Sequence, residues 1–155
     1  MNLRDRFNGE LKEAMKAKEQ KRVGTLRLIL AGLKDRDIAN RSEASREGIS
    51  DDEILSLLTK MVKQREESAA AYEGGGRPEL AKAEREEIEI IRTFMPKQLS
   101  ADEMKSAIAR VISETGAASL KDMGKVMGVM KERFAGQLDF GRAGASVKEM
   151  LGGPK

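Results

Sequence analysis

Apolar side chains recur every three or four residues along most of this chain, a spacing that places them on one face of an α-helix. The first such stripe comprises Leu3, Phe7, Leu11 and Met15, and the last comprises Val147, Met150 and Leu151. No segment shows the apolar–polar alternation of a half-buried strand. Charged residues make up 35 % of the sequence and aromatic residues only 3 %, a composition typical of helices with solvated outer faces. We therefore expect an all-α fold with seven helices.

The helical pattern stops at Pro96 and begins again a few residues later. Proline disfavours the helical conformation in the residue before it, so a helix is expected to end here. The pattern restarts with Ser100 and Glu103, which have the spacing of a capping box at a helix N-terminus. We therefore predict an N-terminal helical bundle at residues 1–96 and a small C-terminal domain of three helices at residues 97–155.

The sequence contains neither cysteine nor histidine. This composition excludes cysteine nucleophiles, serine–histidine triads and zinc sites built from these residues. The first residues carry charges where a secretory signal needs an apolar core, and no apolar run reaches the length of about 18 residues typical of a membrane span. We accordingly expect a cytoplasmic protein with no catalytic residues, cofactor, metal or membrane partner.

Gly124 and Gly128 lie four residues apart within the apolar pattern of the sixth predicted helix. A glycine inside a helix costs about 1 kcal/mol relative to alanine, so this pair needs a compensating role. Two interpretations stay open at this point. Either another helix packs closely against this face, or the backbone of a ligand approaches it.

The net positive charge of the chain lies after Pro96, where ten Lys and Arg residues outnumber seven Asp and Glu residues. Cations near the glycine pair would bind phosphate groups of RNA. Stacking on RNA bases needs exposed aromatic rings, and Phe134 and Phe140 are expected in the core. We therefore predict an RNA-binding surface that recognises shape and phosphates, with ordinary surface charge as the alternative. Its candidate residues are Lys121, Gly124, Lys125, Gly128, Lys131, Arg133 and Arg142.

Arg65 interrupts the apolar stripe of the third predicted helix, and Glu84 interrupts that of the fourth. The two helices should form an antiparallel hairpin about Gly75, which places Arg65 opposite Glu84 and within one turn of Glu87. We therefore predict a semi-buried ion pair of Arg65 with Glu84 or Glu87. Its role would be to fix the register of the two helices, because a buried ion pair adds little net stability.

Five short segments, in their order and spacing, resemble the YqeY-like family over essentially the full chain. They are residues 64–68 (QREES), 76–80 (GRPEL), 84–87 (EREE), 95–99 (MPKQL) and 122–127 (DMGKVM). The last third also resembles the C-terminal tail of the ATP-using subunit of the glutamine-dependent aspartyl/glutamyl-tRNA amidotransferase. That likeness rests on Gly124, Val126 and Met127, on the Gly136 loop with Asp139, and on a terminal helix with Val147 and Leu151.

These resemblances imply an all-helical protein whose last third is similar to a tail that helps to hold tRNA while chemistry takes place elsewhere. The ATP-using cradle and the Ser-Ser-Lys amidase of that enzyme have no counterpart in this sequence. We therefore expect a non-catalytic tRNA-binding or amidotransferase-associated module, with tRNA as its partner and with amidotransferase subunits or another protein as alternatives. A protein-interaction adaptor is the alternative, and a carbon–nitrogen ligase with glutamine as amido donor is the least supported hypothesis.

Overall fold

The computed structural model describes residues 2–40 and 48–152, and all regular secondary structure in these ranges is helical. The helices are α1 (Leu3–Lys16), α2 (Gln20–Ala39), α3 (Asp51–Gly74), α4 (Pro78–Arg92), α5 (Ala101–Thr115), α6 (Met123–Arg133) and α7 (Phe140–Gly152), and a 3₁₀ turn, Leu120–Asp122, precedes α6. The predicted all-α class is confirmed. Within the described ranges, no helix is both long enough and apolar enough to cross a membrane.

The chain divides into two compact units, residues 1–95 and 96–155. The first unit contains α1 to α4, and the second contains α5 to α7. The ability of each unit to fold as an independent domain stays a prediction.

Helices α3 and α5 begin at a serine whose side chain caps the helix. The hydroxyl of Ser50 accepts the Glu53 N–H at 3.2 Å, and the hydroxyl of Ser100 accepts the Glu103 N–H at 3.1 Å. Both pairs are complete capping boxes, in which the glutamate also accepts the N–H of the serine. The hydrogen bond from the Ser100 N–H lowers the pKa of Glu103. Gly116 ends α5 in the left-handed conformation, with φ of 69°, which glycine adopts without strain.

The core of the first unit is made of aliphatic side chains from its four helices. Its most buried members include Leu26, Ile29, Ile54, Leu58 and Ile91. Phe7 and Phe94 add an edge-to-face ring contact, with centroids 5.0 Å apart, that joins α1 to the residues after α4. The most extensive contact in this unit is the hairpin of α3 and α4.

Arg4, Asp37 and Ile49 join three segments of the first unit. Two guanidinium nitrogens of Arg4 donate to the two carboxylate oxygens of Asp37, each at 2.7 Å. Asp37 also accepts the Ile49 N–H at 2.9 Å, and Arg4 donates to the Ile49 carbonyl at 3.0 Å. The Arg4 hydrogen bond holds the pKa of Asp37 below its ordinary value. These bonds connect α1, the end of α2 and the segment that leads into α3.

In the second unit, α5, α6 and α7 surround a core of their own. Its fully buried members are Ile108, Val111, Val126, Met130, Ala143 and Val147. The segment before α5 is bound to the loop between α6 and α7, because the Gln98 amide donates to the Gly136 carbonyl at 2.6 Å and the Leu99 N–H to the Gln137 carbonyl at 2.8 Å. Residues 98 and 99 are therefore part of this unit.

Two methionines predicted to face the core are exposed, Met15 by 52 % and Met150 by 42 %. Both lie in the last turn of their helix, and the neighbouring small or branched residues Ala14 and Val147 are buried instead. The fixed spacing therefore overestimates burial in the last turn of α1 and of α7.

Candidate RNA-binding surface

The start of α6 is fixed by hydrogen bonds around Asp122. Its carboxylate accepts the backbone N–H groups of Ala118 at 2.9 Å and Ser119 at 3.3 Å, and these bonds lower the pKa of Asp122. The Ser119 hydroxyl in turn accepts the Lys121 N–H at 3.3 Å. The chain therefore enters α6 through one tight 3₁₀ turn. The hydrogen bonds of this turn hold the backbone of Lys121 directly before the helix.

Gly124 and Gly128 are exposed on the outer side of α6. A Cβ atom built on either residue would have no described heavy atom within 4 Å outside its own helix. Close packing against another helix of the described chain therefore does not explain the pair. The approach of a ligand backbone to this pair stays a prediction.

The glycine that packs closely against α6 is Gly144 on α7. A Cβ atom at this position would lie 3.7 Å from Met123 Cε and 3.8 Å from Met127 Cε. The methionine side of α6 therefore contacts α7, and the side with Gly124 and Gly128 is directed towards solvent.

Two lysines without ion-pair partners in the described chain accompany the glycines. Spacings of three and four residues keep Gly124, Gly128 and Lys131 on one side of α6, and Lys121 lies in the turn directly before it. Lys121 and Lys131 are exposed, and neither forms an ion pair within the described residues. We call Lys121, Gly124, Gly128 and Lys131 the α6 surface; Glu132, also exposed, is the one carboxylate that α6 contributes.

The other three candidate cations are engaged in contacts within the unit. Lys125 Nζ donates to the Thr115 carbonyl at 3.1 Å, at the end of α5. Arg133 forms an ion pair with Glu114 at 2.5 Å, and Arg142 lies 3.9 Å from Asp139. The ammonium of Lys125 keeps two further donors, so its contact with α5 leaves it able to bind a phosphate.

Phe134 and Phe140 are half-buried and pack against the core of the second unit. The core therefore covers part of each ring and reduces the surface that could stack on a base. A nucleic acid on the α6 surface would therefore be recognised through its backbone and shape.

The structure brings Arg65 together with Glu87 and not with Glu84. Arg65 Nε donates to Glu87 Oε2 at 2.8 Å, and Arg65 Nη1 donates to the Met61 carbonyl at 3.1 Å. The side chains are 14 % and 26 % exposed, so the pair is partly buried. The pair links α3 to α4 within the first unit, so its role is structural.

Sequence reasoning missed the contact of Lys125 with α5. A lysine near the end of a neighbouring helix stabilises that helix, because the last carbonyl groups have no intrahelical partner and carry partial negative charge. The spacing of ten residues between Thr115 and Lys125 gives no local signal of this contact.

Three curated relatives, all named "Altered inheritance of mitochondria protein 41, mitochondrial", show where the similarity extends. The protein of Clavispora lusitaniae is 29 % identical over 146 residues, which cover 92 % of this chain and 81 % of that protein. The protein of Pyrenophora tritici-repentis is 22 % identical, with 95 % and 80 % covered. The protein of Lachancea thermotolerans is 31 % identical over 86 residues, with 56 % and 44 % covered.

The expectation of a cytoplasmic protein is contradicted by these relatives, which are named as mitochondrial proteins and point to mitochondria instead. The expectation rested on the absence of cysteine, on the charges among the first residues and on the absence of long apolar runs. Those features do not distinguish the cytoplasm from the aqueous interior of mitochondria, because a protein surface in contact with water is mostly polar in either compartment.

The match to a family covers nearly the whole chain. The sequence model of the family described as "Yqey-like protein" matches residues 4–151, which include every helix from the first turn of α1 almost to the end of α7. The chain belongs to the YqeY-like family.

Proposed function

We propose that this protein is a non-catalytic helical module that binds tRNA through the α6 surface, alone or together with amidotransferase subunits. The observation that carries the proposal is the open glycine pair, Gly124 and Gly128, beside Lys121 and Lys131, which have no ion-pair partner in the described chain.

Glycine at two successive turns of α6 lets another backbone approach the helix more closely than any side chain would allow. Lysine ammonium groups on either side can neutralise phosphates and release the counterions that surround them. Because a ligand breaks no ion pair of Lys121 or Lys131 with the described residues, the electrostatic gain is not reduced by a lost contact. These features support binding to a sugar–phosphate backbone.

Any chemistry takes place outside this chain. The sequence contains no histidine or cysteine. The carboxylates of α4 alternate with Arg85 and Arg92, and both arginines form ion pairs with glutamates of α3. Glutamine-dependent ligase activity belongs to the amidotransferase, whose C-terminal tail the last third of this chain resembles. It is not proposed for this chain. A protein-interaction adaptor is the alternative that the test below separates.

The test is a salt titration of the full chain against a tRNA transcript and against an unstructured RNA of equal length. We expect tighter binding to tRNA, with an affinity that falls steeply as salt rises, because phosphate contacts release counterions. The double variant Lys121→Ala/Lys131→Ala should bind more weakly with a shallower salt slope. Lys105→Ala, an exposed lysine of α5, is the matched control and should behave as wild type.

Equal affinity for both RNAs, or wild-type binding by the double variant, would contradict the proposal and favour the adaptor. Glutamine-dependent amide formation by the purified chain would contradict its non-catalytic part.

A further inference from the structure

Helix α2 carries apolar side chains on two sides, although only one of them faces the core. Leu26, Ile29 and Leu33 are buried in the first unit. Leu28 and Ile38 are exposed by 48 % and 58 %. Of these two residues, Leu28 lies among the residues that line a groove between α2 and α3, and Ile38 does not.

The exposed side of α2 forms one wall of a groove of about 470 Å³ along α3. Leu28 and Gly32 of α2 line one wall, and the outer edges of Leu57 and Met61 of α3, which are 6 % and 7 % exposed, lie at its floor. A Cβ atom at Gly32 would lie 3.6 Å from Leu57 Cδ1, at van der Waals distance. Any larger side chain at this position would therefore extend into the groove.

The α2 wall of this groove is as long as a short α-helix. Its α2 wall extends from Leu28 to Ala39, which corresponds to about 16 Å, or three helical turns, at a rise of about 1.5 Å per residue. A helix of that length presents apolar side chains at positions i, i+4 and i+7 to such a floor.

The rim of the groove is positively charged. Arg36 on α2 and Lys60 on α3 stand on opposite walls, and neither forms an ion pair within the described residues. Arg65 is held by Glu87, and Asp35 is the one carboxylate among the lining residues. A ligand that fits the groove gains most if it carries carboxylates on both sides of its apolar stripe.

We propose that the α2–α3 groove docks an acidic amphipathic helix of a partner protein. Apolar side chains of that helix contact Leu28, Leu57 and Met61, and its flanking carboxylates pair with Arg36 and Lys60. This binding site lies in the first unit and is independent of the α6 surface and of any RNA.

The experiment uses the full chain and a display library of helical peptides about 16 residues long, with all surface positions randomised. Selected peptides are synthesised, and their affinities are measured by fluorescence anisotropy. Gly32→Phe fills the groove, and Lys60→Glu reverses one rim charge. Lys34→Glu makes the same charge change on α2 outside the groove lining and is the matched control.

We expect enrichment of peptides with apolar residues at i, i+4 and i+7 flanked by Asp and Glu. Gly32→Phe should abolish their binding, Lys60→Glu should weaken it roughly tenfold, and Lys34→Glu should leave it unchanged. Circular dichroism verifies that each variant is folded, and the two groove variants provide independent tests.

Three results would overturn the proposal: enrichment of basic peptides, peptides that bind the Gly32→Phe variant as well as wild type, or no enrichment at all. Self-association of the full chain that Gly32→Phe abolishes would assign the groove to a second copy of this protein instead.

Discussion

The cations that link helices in the first unit differ from the two lysines of the α6 surface in the second. In the first unit, cations link helices to one another through pairs such as Arg22–Glu10 at 2.6 Å, Arg65–Glu87 at 2.8 Å, Lys21–Glu86 at 2.9 Å and Arg92–Glu66 at 2.9 Å. In the second unit, Lys121 and Lys131 stand on an exposed helix side without such partners in the described chain. Paired cations specify how helices align, whereas unpaired cations beside open backbone are available to an outside phosphate.

Glycines with open space around them occur in both units. Gly24 in α2 and Gly128 in α6 each leave open space where a Cβ atom would lie. An open glycine alone is therefore not a sign of ligand binding. Gly128 differs because a second open glycine lies one turn away and the two lysines of the α6 surface lie on either side.

The largest effect is expected from removal of a paired cation in the first unit. Arg65→Met should lower the free energy of unfolding by about 1–3 kcal/mol, because it leaves the partly buried Glu87 without its donor. Urea denaturation measures the loss. Glu87→Leu in the same chain should recover part of it, whereas Glu84→Leu should act additively. Additivity with Glu87→Leu would remove this pair as a stabilising contact.

Removal of unpaired cations should affect binding and leave stability unchanged. Lys121→Ala/Lys131→Ala should weaken tRNA binding about tenfold at low salt and reduce the salt slope by about 2, one for each lost phosphate contact. Filter binding over a range of salt concentrations measures both quantities. An unchanged slope would mean that these lysines do not meet phosphates.

A smaller effect separates the two open glycines. Gly128→Ala and Gly24→Ala should each raise the free energy of unfolding by up to about 1 kcal/mol through helix propensity. Only Gly128→Ala should weaken RNA binding, because its methyl group lies on the α6 surface. Thermal unfolding and the binding assay provide the two readouts. Equal RNA affinities for both variants would show that no backbone approaches Gly128.

The smallest effect concerns Asp37, whose pKa is lowered by its hydrogen bond from Arg4. Because the folded carboxyl holds its proton less tightly than the unfolded one, the contribution is present above the ordinary carboxyl pKa and is lost as pH falls through the lower folded pKa. Asp37→Asn should therefore destabilise by about 0.2–1 kcal/mol near neutral pH. The difference from wild type should shrink near pH 3 in urea titrations; a constant difference would contradict the assignment.

Features with local signals could be predicted from the sequence. The all-α class follows from apolar spacing, and the starts of α3 and α5 follow from serine–glutamate pairs three residues apart. The hairpin of α3 and α4 identifies Arg65 but leaves Glu84 and Glu87 as alternatives, because they lie only three residues apart on the same helix.

Contacts between distant residues leave no such signal. Arg4 and Asp37 are 33 residues apart, and both residue types are common on helix surfaces. Lys125 binds a backbone carbonyl, which any residue type offers. The roles of Gly124 and Gly128 likewise stay open in the sequence, because helical spacing alone does not show which side of α6 meets α7.

The most direct test of the α6 surface is a titration of the isotopically labelled full chain with tRNA, followed by backbone amide NMR. Glycine amides occupy a separate region of the spectrum, so Gly124 and Gly128 can be compared with Gly24 in the same sample. We expect the largest shift changes or broadening at Gly124, Gly128, Lys121 and Lys131, with Gly24 unaffected. Perturbations that spare these four residues while tRNA binds would contradict the assignment of the α6 surface.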